Sequence, residues 1–535
     1  MKKKGSLIYL IIGMFLCLTP LLGMLFVSQK ESGSEQRRLA KFPKLVEEGK
    51  WNTAFLSEAG RYFEDHFAFR EEMVGVNSKM EASLFLTSAV DTVVVGTDGW
   101  LYYSDSLPDY LGDYEMSEGE AFCLAQNLSL MQRTLKEKGI RFLFTIAPNK
   151  NSLYGEHMPY YDQVKAERKK NVEVLLPQLK QQEVAYADLF AAFSQNPQVR
   201  YRKQDSHWDG RGAALAADVL LNQLSIRHPS YSKEQFKKTK TEKGDLATAL
   251  YGALAEPEWD YELKEPAAFR FLEGTRTPAA ALEGEKNETS WEDYYIRTIK
   301  TEPENQTKEG QENQSQEEQT GGRLLMFRDS FGNTLCPFLA EAYQNAAFSK
   351  ETVYHMDQLI EQNQPDTVIV EIVERNLRNL VIFDAENQQH SGPPVMLTPI
   401  AEPESLAAEP KSLTAGSKSL AAEYESPEAV ISWEVSKLQP SYEMIYGELP
   451  PSFLQEDLQE ETKIFVEWIP EEDSVEQANA DRKIHEAFLT VDETGEIGGY
   501  VAYFPVEMWK KARGTIRILK KTKERCLVVA ERRIS

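Results

Sequence analysis

A series of short apolar runs, alternating with amphipathic segments between residues 92 and 373, constrains the fold of this chain most strongly. The runs hold few polar residues, which is typical of strands buried on both faces. The segments at 119–137, 210–224 and 333–345 have the periodicity of crossover helices. The pattern predicts an α/β fold with a parallel sheet flanked by helices. The predicted strands lie at 93–95, 141–146, 184–189, 324–327 and 366–373.

An uncharged apolar run at residues 7–27 follows three lysines at positions 2–4. At about 1.5 Å per residue, a helix of this length spans roughly the 30 Å of a hydrocarbon core. A cleaved secretory signal is the alternative, but the end of the run lacks the small residues of a cleavage site. We therefore predict that residues 1–30 form a cytoplasmic tip and a signal-anchor transmembrane helix. The lysines place the amino terminus in the cytoplasm and the remaining chain outside the membrane.

The charge and the cysteines exclude other classes of protein. The formal net charge of −24 argues against a surface that binds nucleic acid, because such surfaces need an excess of Lys and Arg. The four cysteines lie far apart in the sequence, without metal-ligand spacing. We expect no metal, no cofactor and no disulfide framework.

Composition also divides the chain. Residues 31–400 hold the predicted α/β domain and a helical amino-terminal extension. Residues 284–322 are rich in Glu, Gln, Asn and Thr and predict a disordered insertion. Residues 401–427 predict a low-complexity linker. Short strand-like runs at 428–535 predict a β-sandwich-like accessory domain, which serves either to hold substrate or as a packing or dimerisation unit.

Two segments contain residues that suit nucleophilic catalysis. Asp205 precedes His207 by two residues on a loop ahead of a helix, so its carboxylate can orient the imidazole. Ser330 follows an apolar strand and precedes a helix, whose amino terminus can stabilise an oxyanion. Each segment also has a structural interpretation. The first can be a loop hydrogen bond, and in the second Asp329 or Ser330 can be a helix cap.

Taken together, these segments resemble the circularly permuted SGNH-hydrolase group that includes the AlgX- and AlgJ-like polysaccharide O-acetylation proteins and the DHHW proteins. The resemblance covers about residues 35–385 and rests on several short motifs in the expected order. The motifs are DHFAFR at 65–70, VGTDGWLY at 95–102, PNK at 148–150 with Tyr154, DSH at 205–207, GDL at 244–246, DSF at 329–331 and ERN at 374–376.

The resemblance implies a Ser-His-Asp triad of Ser330, His207 and Asp205. The Ser330 amide is the first candidate donor for an oxyanion, and Asn149 is a second, because sites of the superfamily that the chain resembles use an asparagine. Further candidates for contact with sugar, or for structural hydrogen bonds and salt bridges, are Lys150, Tyr154 and Arg375. Arg328 stands where a Gly-Asp-Ser block would place glycine, so its side chain is a candidate for lining the pocket or contacting an anionic substrate.

The resulting hypothesis is a membrane-anchored extracytoplasmic enzyme that transfers acetyl groups to hydroxyls of a cell-surface or secreted polysaccharide. Because acetyl-CoA is cytoplasmic, such an enzyme needs a membrane-bound acyl-transfer partner, which the resemblance suggests is of the MBOAT type. One alternative is a polysaccharide acetylesterase with the same triad. Another is a non-catalytic polysaccharide-binding assembly protein, in which the two segments never meet.

Overall fold

The structure is a computed structural model and describes most of the chain between residues 40 and 534. The described ranges are 13–14, 18–19, 23, 31–32, 37–38, 40–47, 50–66, 68–113, 116–166, 168–229, 231–265, 267–275, 290–301, 321–350, 356–383, 432–435, 442–449, 462–471, 482–505, 513–522 and 526–534. The predicted membrane helix at 7–27 lies almost wholly outside these ranges, as does the linker at 401–427. Among the described residues, no helix is both long enough and apolar enough to cross a bilayer.

The amino-terminal half contains most of the helices. Before the central sheet come the short strands β1 (Glu31–Ser32), β2 (Arg37–Arg38), β3 (Val46–Glu47), β4 (Lys50–Trp51), β5 (Val93–Val95) and β6 (Leu101–Tyr103). The helices in the ranges given above are α1 (Phe55–His66), α2 (Arg70–Phe85), α3 (Leu107–Leu111), α4 (Glu118–Glu137), α5 (Lys150–Tyr154), α6 (Pro159–Val164), α7 (Asn171–Gln181), α8 (Leu189–Ser194), α9 (Gly210–Gln223), α10 (Asp245–Tyr251), α11 (Gly332–Ala342) and α12 (Met356–Asn363).

The central sheet has seven strands. Its members are β7 (Arg141–Ala147), β8 (Tyr186–Ala187), β11 (Phe269–Thr275), β12 (Tyr295–Lys300), β13 (Gly321–Phe327), β14 (Tyr343–Ser349) and β15 (Thr367–Val373). Their order is β11-β12-β14-β13-β15-β7-β8, and the five strands from β14 to β8 are parallel. The predicted α/β fold with a parallel sheet is confirmed for these five strands. β5, predicted as a strand of the same series, instead pairs with β6 in a separate hairpin.

The central strands β7, β13 and β15 are buried on both faces and are largely apolar. Leu325 and Val368 belong to a core shared with α4 and α7, whereas Leu324 and Ile369 face a second core shared with α8, α9 and α11. Successive side chains of a strand point to opposite faces, so each strand contributes to both cores. This arrangement brings the carboxyl ends of β7, β13 and β15 to one edge of the molecule.

Part of the predicted disordered insertion is a strand. Residues 295–300 form β12, which is antiparallel to both β11 and β14 and extends the central sheet at one edge. The prediction for 284–322 is therefore wrong for residues 290–301 and for the start of β13. Ile296 and Thr298 are buried in the sheet while alternate residues are less buried. Composition averaged over a long window hides such a short alternating strand.

A second hairpin and the carboxyl-terminal region complete the fold. The hairpin consists of β9 (Phe236–Lys243) and β10 (Pro257–Leu263). Beyond residue 428 lie β16 (Ser432–Val435), β17 (Tyr442–Glu448), β18 (Lys463–Pro470), β19 (Lys483–Glu486), β20 (Phe488–Val491), β21 (Ile497–Pro505), β22 (Gly514–Lys521) and β23 (Cys526–Ile534). They form two antiparallel four-stranded sheets, so the carboxyl-terminal region is β-rich as predicted.

The β-rich region packs directly on α4. This helix begins with a capping box, in which Ser117 and Glu120 bond each other's backbone N–H groups. Its side chains are buried along most of its length, between the central sheet and the β-rich region. Asn127 pairs with strand β20 by two hydrogen bonds of 2.9 Å, one to Leu489 O and one from Leu489 N. The two parts of the molecule therefore share one continuous hydrophobic core.

Candidate active site

The turn after β13 presents Ser330 at the carboxyl edge of the sheet. Asp329 holds this turn, because its carboxylate accepts hydrogen bonds from the Phe331 amide at 2.9 Å and from the Val373 amide at 2.7 Å. Helix α11 starts immediately afterwards, and Phe331 is its N-cap residue. Ser330 itself therefore does not cap the helix. The turn fixes the position of its hydroxyl between strand and helix.

His207 lies on the loop before α9 and reaches this hydroxyl. Its Nε2 atom lies 2.9 Å from Ser330 Oγ, and its Nδ1 atom lies 2.9 Å from Asp205 Oδ1. The imidazole ring also packs against Phe331, with ring centroids 4.8 Å apart. The structure thus places the three residues predicted as a triad in one hydrogen-bonded chain. This contact contradicts the arrangement expected of a protein in which the two segments never meet.

Asp205 is buried, with 2% of its surface exposed. Its carboxylate accepts a hydrogen bond from the His207 amide at 2.9 Å and one from the Asp245 amide at 3.1 Å, and it contacts the Arg202 guanidinium. Burial alone would raise the pKa of Asp205, but the hydrogen bonds from His207 and the charge of Arg202 outweigh it and lower the pKa below its usual value. The carboxylate is therefore ionised at neutral pH.

Asp245, at the start of α10, supports the histidine loop from a second side. Its Oδ1 atom accepts a hydrogen bond from the Ser206 amide at 2.8 Å, and Ser206 Oγ also donates to the same carboxylate. Asp205, His207 and Asp245 have possible ligand atoms within 4.8 Å of one another and so are close enough to hold a metal ion. Both ring nitrogens of His207 are engaged by Asp205 and Ser330, so the group has the geometry of a hydrogen-bonded relay rather than of a ligand set.

Lys150 lies beneath the histidine loop. Its ammonium donates to the carbonyl oxygens of Arg202, Lys203 and Asp205 at 2.8, 2.7 and 2.8 Å. It also lies 5.2 Å from the centre of the Trp100 ring. Burial lowers the pKa of Lys150 to about 7, against the opposing effect of the nearby carboxylates. Because its ammonium bonds three loop carbonyls, Lys150 holds the loop in place.

Asn149 is the N-cap residue of α5 and follows the carboxyl end of β7. Its backbone amide donates to Glu374 Oε2 at 2.8 Å, and its Oδ1 atom accepts from Arg375 at 3.4 Å. Its side chain is buried, and among the described atoms its Nδ2 group has no hydrogen-bond partner. A buried N–H without a partner is rare in folded proteins. Asn149 therefore has a donor available for a bound group.

Glu374 forms a buried carboxyl pair with Asp109 of α3. Burial, together with the charge of Asp109, raises the pKa of Glu374 to about 8, while Lys170 acts in the opposite direction. Burial also raises the pKa of Asp109. Glu374 is therefore largely protonated at neutral pH, while its Oε2 atom accepts the Asn149 amide.

Arg375 follows Glu374 and is half-buried near the nucleophile. Its guanidinium carbon lies 5.1 Å from the centre of the Tyr103 ring and 5.6 Å from that of Phe331. Phe331 is the residue after Ser330, so this cation borders the triad. Of the residues predicted to contact sugar, Arg375 is the one that the structure places at the edge of the site.

Arg328 and Tyr154 have structural positions. Arg328 is buried, and it donates to the carbonyl oxygens of Trp291 at 2.8 Å and Asp293 at 3.2 Å. Its guanidinium thus joins the turn before β12 to the nucleophile turn, where it also donates to the Asp329 carbonyl at 3.2 Å, and its predicted contact with substrate stays a prediction. Tyr154 Oη accepts a hydrogen bond from the Arg200 amide at 3.0 Å, which ties α5 to the chain before the histidine loop.

Several supporting residues were not predicted from the sequence as site residues. Arg202, Asp245 and Glu258 bond the loop that carries Asp205 and His207, and Glu374 bonds the Asn149 amide. Asp245 lies in the motif GDL and Glu374 in the motif ERN, and these motifs are the sequence signal that points to the two residues. Their partners lie far away in the sequence, so the motifs alone do not say which group each side chain meets.

Comparison with known proteins agrees with the resemblance seen in the motifs. Residues 93–286 match the family model described as SGNH hydrolase-like domain, acetyltransferase AlgX. A probable alginate O-acetylase AlgJ from Pseudomonas fluorescens is 25% identical over 221 residues, which cover 38% of this chain and 51% of the relative. The chain thus aligns with about half the length of that relative. The predicted resemblance to AlgX- and AlgJ-like proteins is confirmed.

Three solved structures are also similar. Bacillus cereus PatB1 is 18% identical with a TM-score of 0.39, and the alignment covers 54% of this chain and 97% of PatB1. A DHHW family protein from Eubacterium siraeum has a TM-score of 0.37 and 14% identity, with 54% and 94% covered. The O-acetyltransferase domain of Pseudomonas putida AlgJ has a TM-score of 0.32 and 18% identity, with 54% and 92% covered.

Proposed function

We propose that this chain is a membrane-anchored extracytoplasmic O-acetyltransferase that acetylates polysaccharide hydroxyls through an acyl intermediate on Ser330. The observation that carries the proposal is the chain of two 2.9 Å contacts from Ser330 through His207 to Asp205. The similarity to the AlgX family and to an alginate O-acetylase supports polysaccharide O-acetylation in general. The buried, ionised Asp205 holds the imidazole in the tautomer that accepts a proton from the serine.

The two halves of the reaction use the same groups. His207 Nε2 takes the Ser330 proton while Oγ attacks the carbonyl carbon of an acetyl donor, giving a tetrahedral oxyanion. The oxyanion collapses, the donor's leaving group departs with the proton from His207, and Ser330 remains acetylated. A sugar hydroxyl then loses its proton to His207 and attacks the acetyl carbon. Collapse of the second oxyanion releases the sugar acetate and returns the proton to Ser330.

Two N–H groups are our candidates for the oxyanion site. One is the Ser330 backbone amide, at the turn before α11. The other is Asn149 Nδ2, which is buried and without a partner among the described atoms. Donors that are held in place before reaction stabilise developing negative charge at little reorganisation cost. Arg375, at the edge of the site, is positioned to contact the bound sugar chain.

Anchoring and the acyl donor are part of the same proposal. The apolar run at residues 7–27 would hold the catalytic region on the outer side of the membrane. An acetyl group made on cytoplasmic CoA must then cross the bilayer, so a membrane-bound partner of the MBOAT type would supply it. The β-rich region is a further candidate for contact with the polymer.

The first test is hydrolysis of an activated acetyl ester by the full-length protein in detergent. We expect Ser330→Ala to lower kcat/KM by about 10³-fold or more, because the acyl intermediate cannot form. Ser194→Ala, an exposed serine on α8, is the matched control and should retain wild-type activity. Equal rates for Ser330→Ala and wild type would refute the proposal.

A second measurement separates transfer from hydrolysis. Acetylated oligosaccharide, detected by mass spectrometry when acceptor and donor are supplied together, is expected of a transferase. Free acetate as the sole product, with acetylated polysaccharide as a better substrate, would instead identify the esterase alternative, because both reactions share the acyl-serine.

A further inference from the structure

Helix α2 packs on the rest of the molecule through its smallest residues. Ser78 and Ala82 are 0% and 5% exposed. A Cβ atom at Gly75 would lie 2.6 Å from the Tyr251 carbonyl oxygen and 3.1 Å from the Leu254 side chain. The inner face of α2 therefore packs closely against α10 and the turn that follows α10.

The opposite face of α2 carries large apolar side chains in solvent. Met73, Val76, Met80 and Leu84 are exposed to 49%, 51%, 55% and 67%. At about 100° per residue they form one stripe, nearly opposite the small residues. A surface helix ordinarily buries its large apolar side chains and exposes its polar ones, so α2 has the reverse arrangement.

Large apolar side chains are also exposed ahead of α2 in the chain. Leu56 and Phe63 of α1, Phe69 at the corner between the helices, and Trp51 ahead of α1 are exposed to 83%, 48%, 43% and 73%. A continuous apolar stripe such as the one on α2 marks contact with a protein or a membrane. In the part of the chain that the structure describes, nothing covers this stripe.

The position of Gly23 indicates that the stripe contacts a membrane rather than a protein. This residue belongs to the apolar run at 7–27, and a Cβ atom on it would lie 2.6 Å from Ala68 Cβ and 2.9 Å from the Phe69 ring. Met14 and Leu18 of the same run are themselves exposed, to 55% and 46%. With the run in a bilayer, Gly23 is near its outer end. The corner between α1 and α2 then lies at the outer surface of that bilayer.

We propose that α2 lies along the outer surface of the membrane, with Met73, Val76, Met80 and Leu84 inserted at the boundary between head groups and acyl chains. This inference rests on the single-pass anchoring of the proposed function. Helix α2 has two basic and three acidic residues, so apolar burial, rather than attraction to anionic lipid, drives the contact. A zwitterionic bilayer is therefore a sufficient partner.

The contact also sets the position of the active site. Helix α2 packs on α10, and the first residue of α10, Asp245, bonds the Ser206 amide beside His207. The triad loop is thus one helix away from the membrane-bound helix. Docking of α2 would hold Ser330 at a constant height above the bilayer, within reach of an acyl donor that emerges from it.

Lipid-borne quenchers test the proposal. The full-length protein, with a fluorescent amino acid encoded at position 84, is reconstituted into phosphatidylcholine vesicles that contain nitroxide-labelled lipid. We expect the label to be quenched roughly twofold or more. Met80→Asp should abolish this quenching, because a carboxylate is excluded from the acyl boundary. Val74→Asp, at an exposed apolar position about 100° around the same helix from Met73 and off the stripe, should not.

The outcomes separate this inference from the proposed function. Ser330→Ala should be quenched like wild type, and Met80→Asp should still hydrolyse the soluble activated ester and still sediment with vesicles. Absence of quenching in wild type that remains with the vesicles would overturn the membrane contact. Energy transfer between labelled copies without lipid quenching would do the same and would assign the stripe to a second copy of the chain.

Discussion

At the scale of single residues, the candidate site depends on buried polar groups that do not touch substrate. Lys150 provides three hydrogen bonds to the carbonyls of the loop that carries Asp205 and His207. Glu374 holds the amide of Asn149. These residues act on the reaction through the position of others, and substitutions should affect turnover and pH dependence more than affinity.

We expect Lys150→Met to lower kcat by about 10²-fold with little change in KM. The substitution leaves three loop carbonyls without donors, and a shift of His207 by about 1 Å is costly for proton transfer. Steady-state kinetics on an activated acetyl ester measures both parameters. Lys169→Met, at an exposed position, is the control. A Lys150→Met enzyme with wild-type kcat would contradict the role assigned to the ammonium.

The carboxyl pair of Glu374 and Asp109 predicts a pH dependence of stability. The pKa of Glu374 is about 8 in the folded chain against an ordinary value of 4.5. Its contribution to stability is therefore fully present below about pH 4.5 and is lost as the pH rises through 8, since the unfolded chain releases this proton first.

The variant Glu374→Gln removes this titration and keeps an oxygen for the Asn149 amide. We expect the Tm of wild type to fall more than that of the variant between about pH 6 and pH 9. Parallel curves of Tm against pH for the two proteins across this range would show that Glu374 does not lose a proton there.

At the scale of elements, the site is built from loops whose backbones lie close together. Gly244, just before α10, has no space for a side chain, because a Cβ atom would lie 2.2 Å from the Gln204 carbonyl oxygen. Gln204 precedes Asp205, so this close approach joins the start of α10 to the triad loop. Glycine is required here by contact with backbone rather than by its own conformation.

We expect Gly244→Ala to lower kcat/KM by about 10-fold or more, because the methyl group pushes the loop that carries Asp205 away from α10. Gly60→Ala on α1 is the matched control, since a Cβ atom there meets nothing within 4 Å. Activity and thermal unfolding are measured for both variants. Unchanged activity of Gly244→Ala would mean that the loop position is not held by this contact.

At the scale of the whole molecule, α4 is enclosed by the central sheet on one side and the β-rich region on the other. Arg133 of α4 forms an ion pair with the buried Glu486, and Arg378 forms one with Glu120 at 2.6 Å. Together with the shared core, the Arg133–Glu486 pair makes the β-rich region part of the structural support for the site.

We expect Asn127→Ala to lower the free energy of unfolding by about 2 kcal/mol or more, because it leaves the Leu489 N–H and C=O buried without partners. Chemical denaturation measures the change, and Lys136→Ala, exposed on the same helix, serves as the control. A change within about 0.5 kcal/mol of wild type would contradict the packing described here.

The sequence by itself determined the α/β class, the positions of the main parallel strands and the three residues of the proposed triad. Apolar runs without polar interruption require burial on both faces. Ser330 and His207 lie in short motifs that can be recognised from a few consecutive residues. It did not reveal β12, because a strand of six residues inside a polar segment gains its stability from the neighbours it pairs with.

Only the tertiary structure decided which residues support the triad and which ones border it. Lys150, Arg328 and Arg375 are all cations beside candidate motifs, yet the first two bond backbone carbonyls in the interior and the third lies at the edge of the site. A side chain's role depends on burial and on partners that are distant in sequence. Those partners are brought together only when β7, β13 and β15 align their carboxyl ends in one sheet.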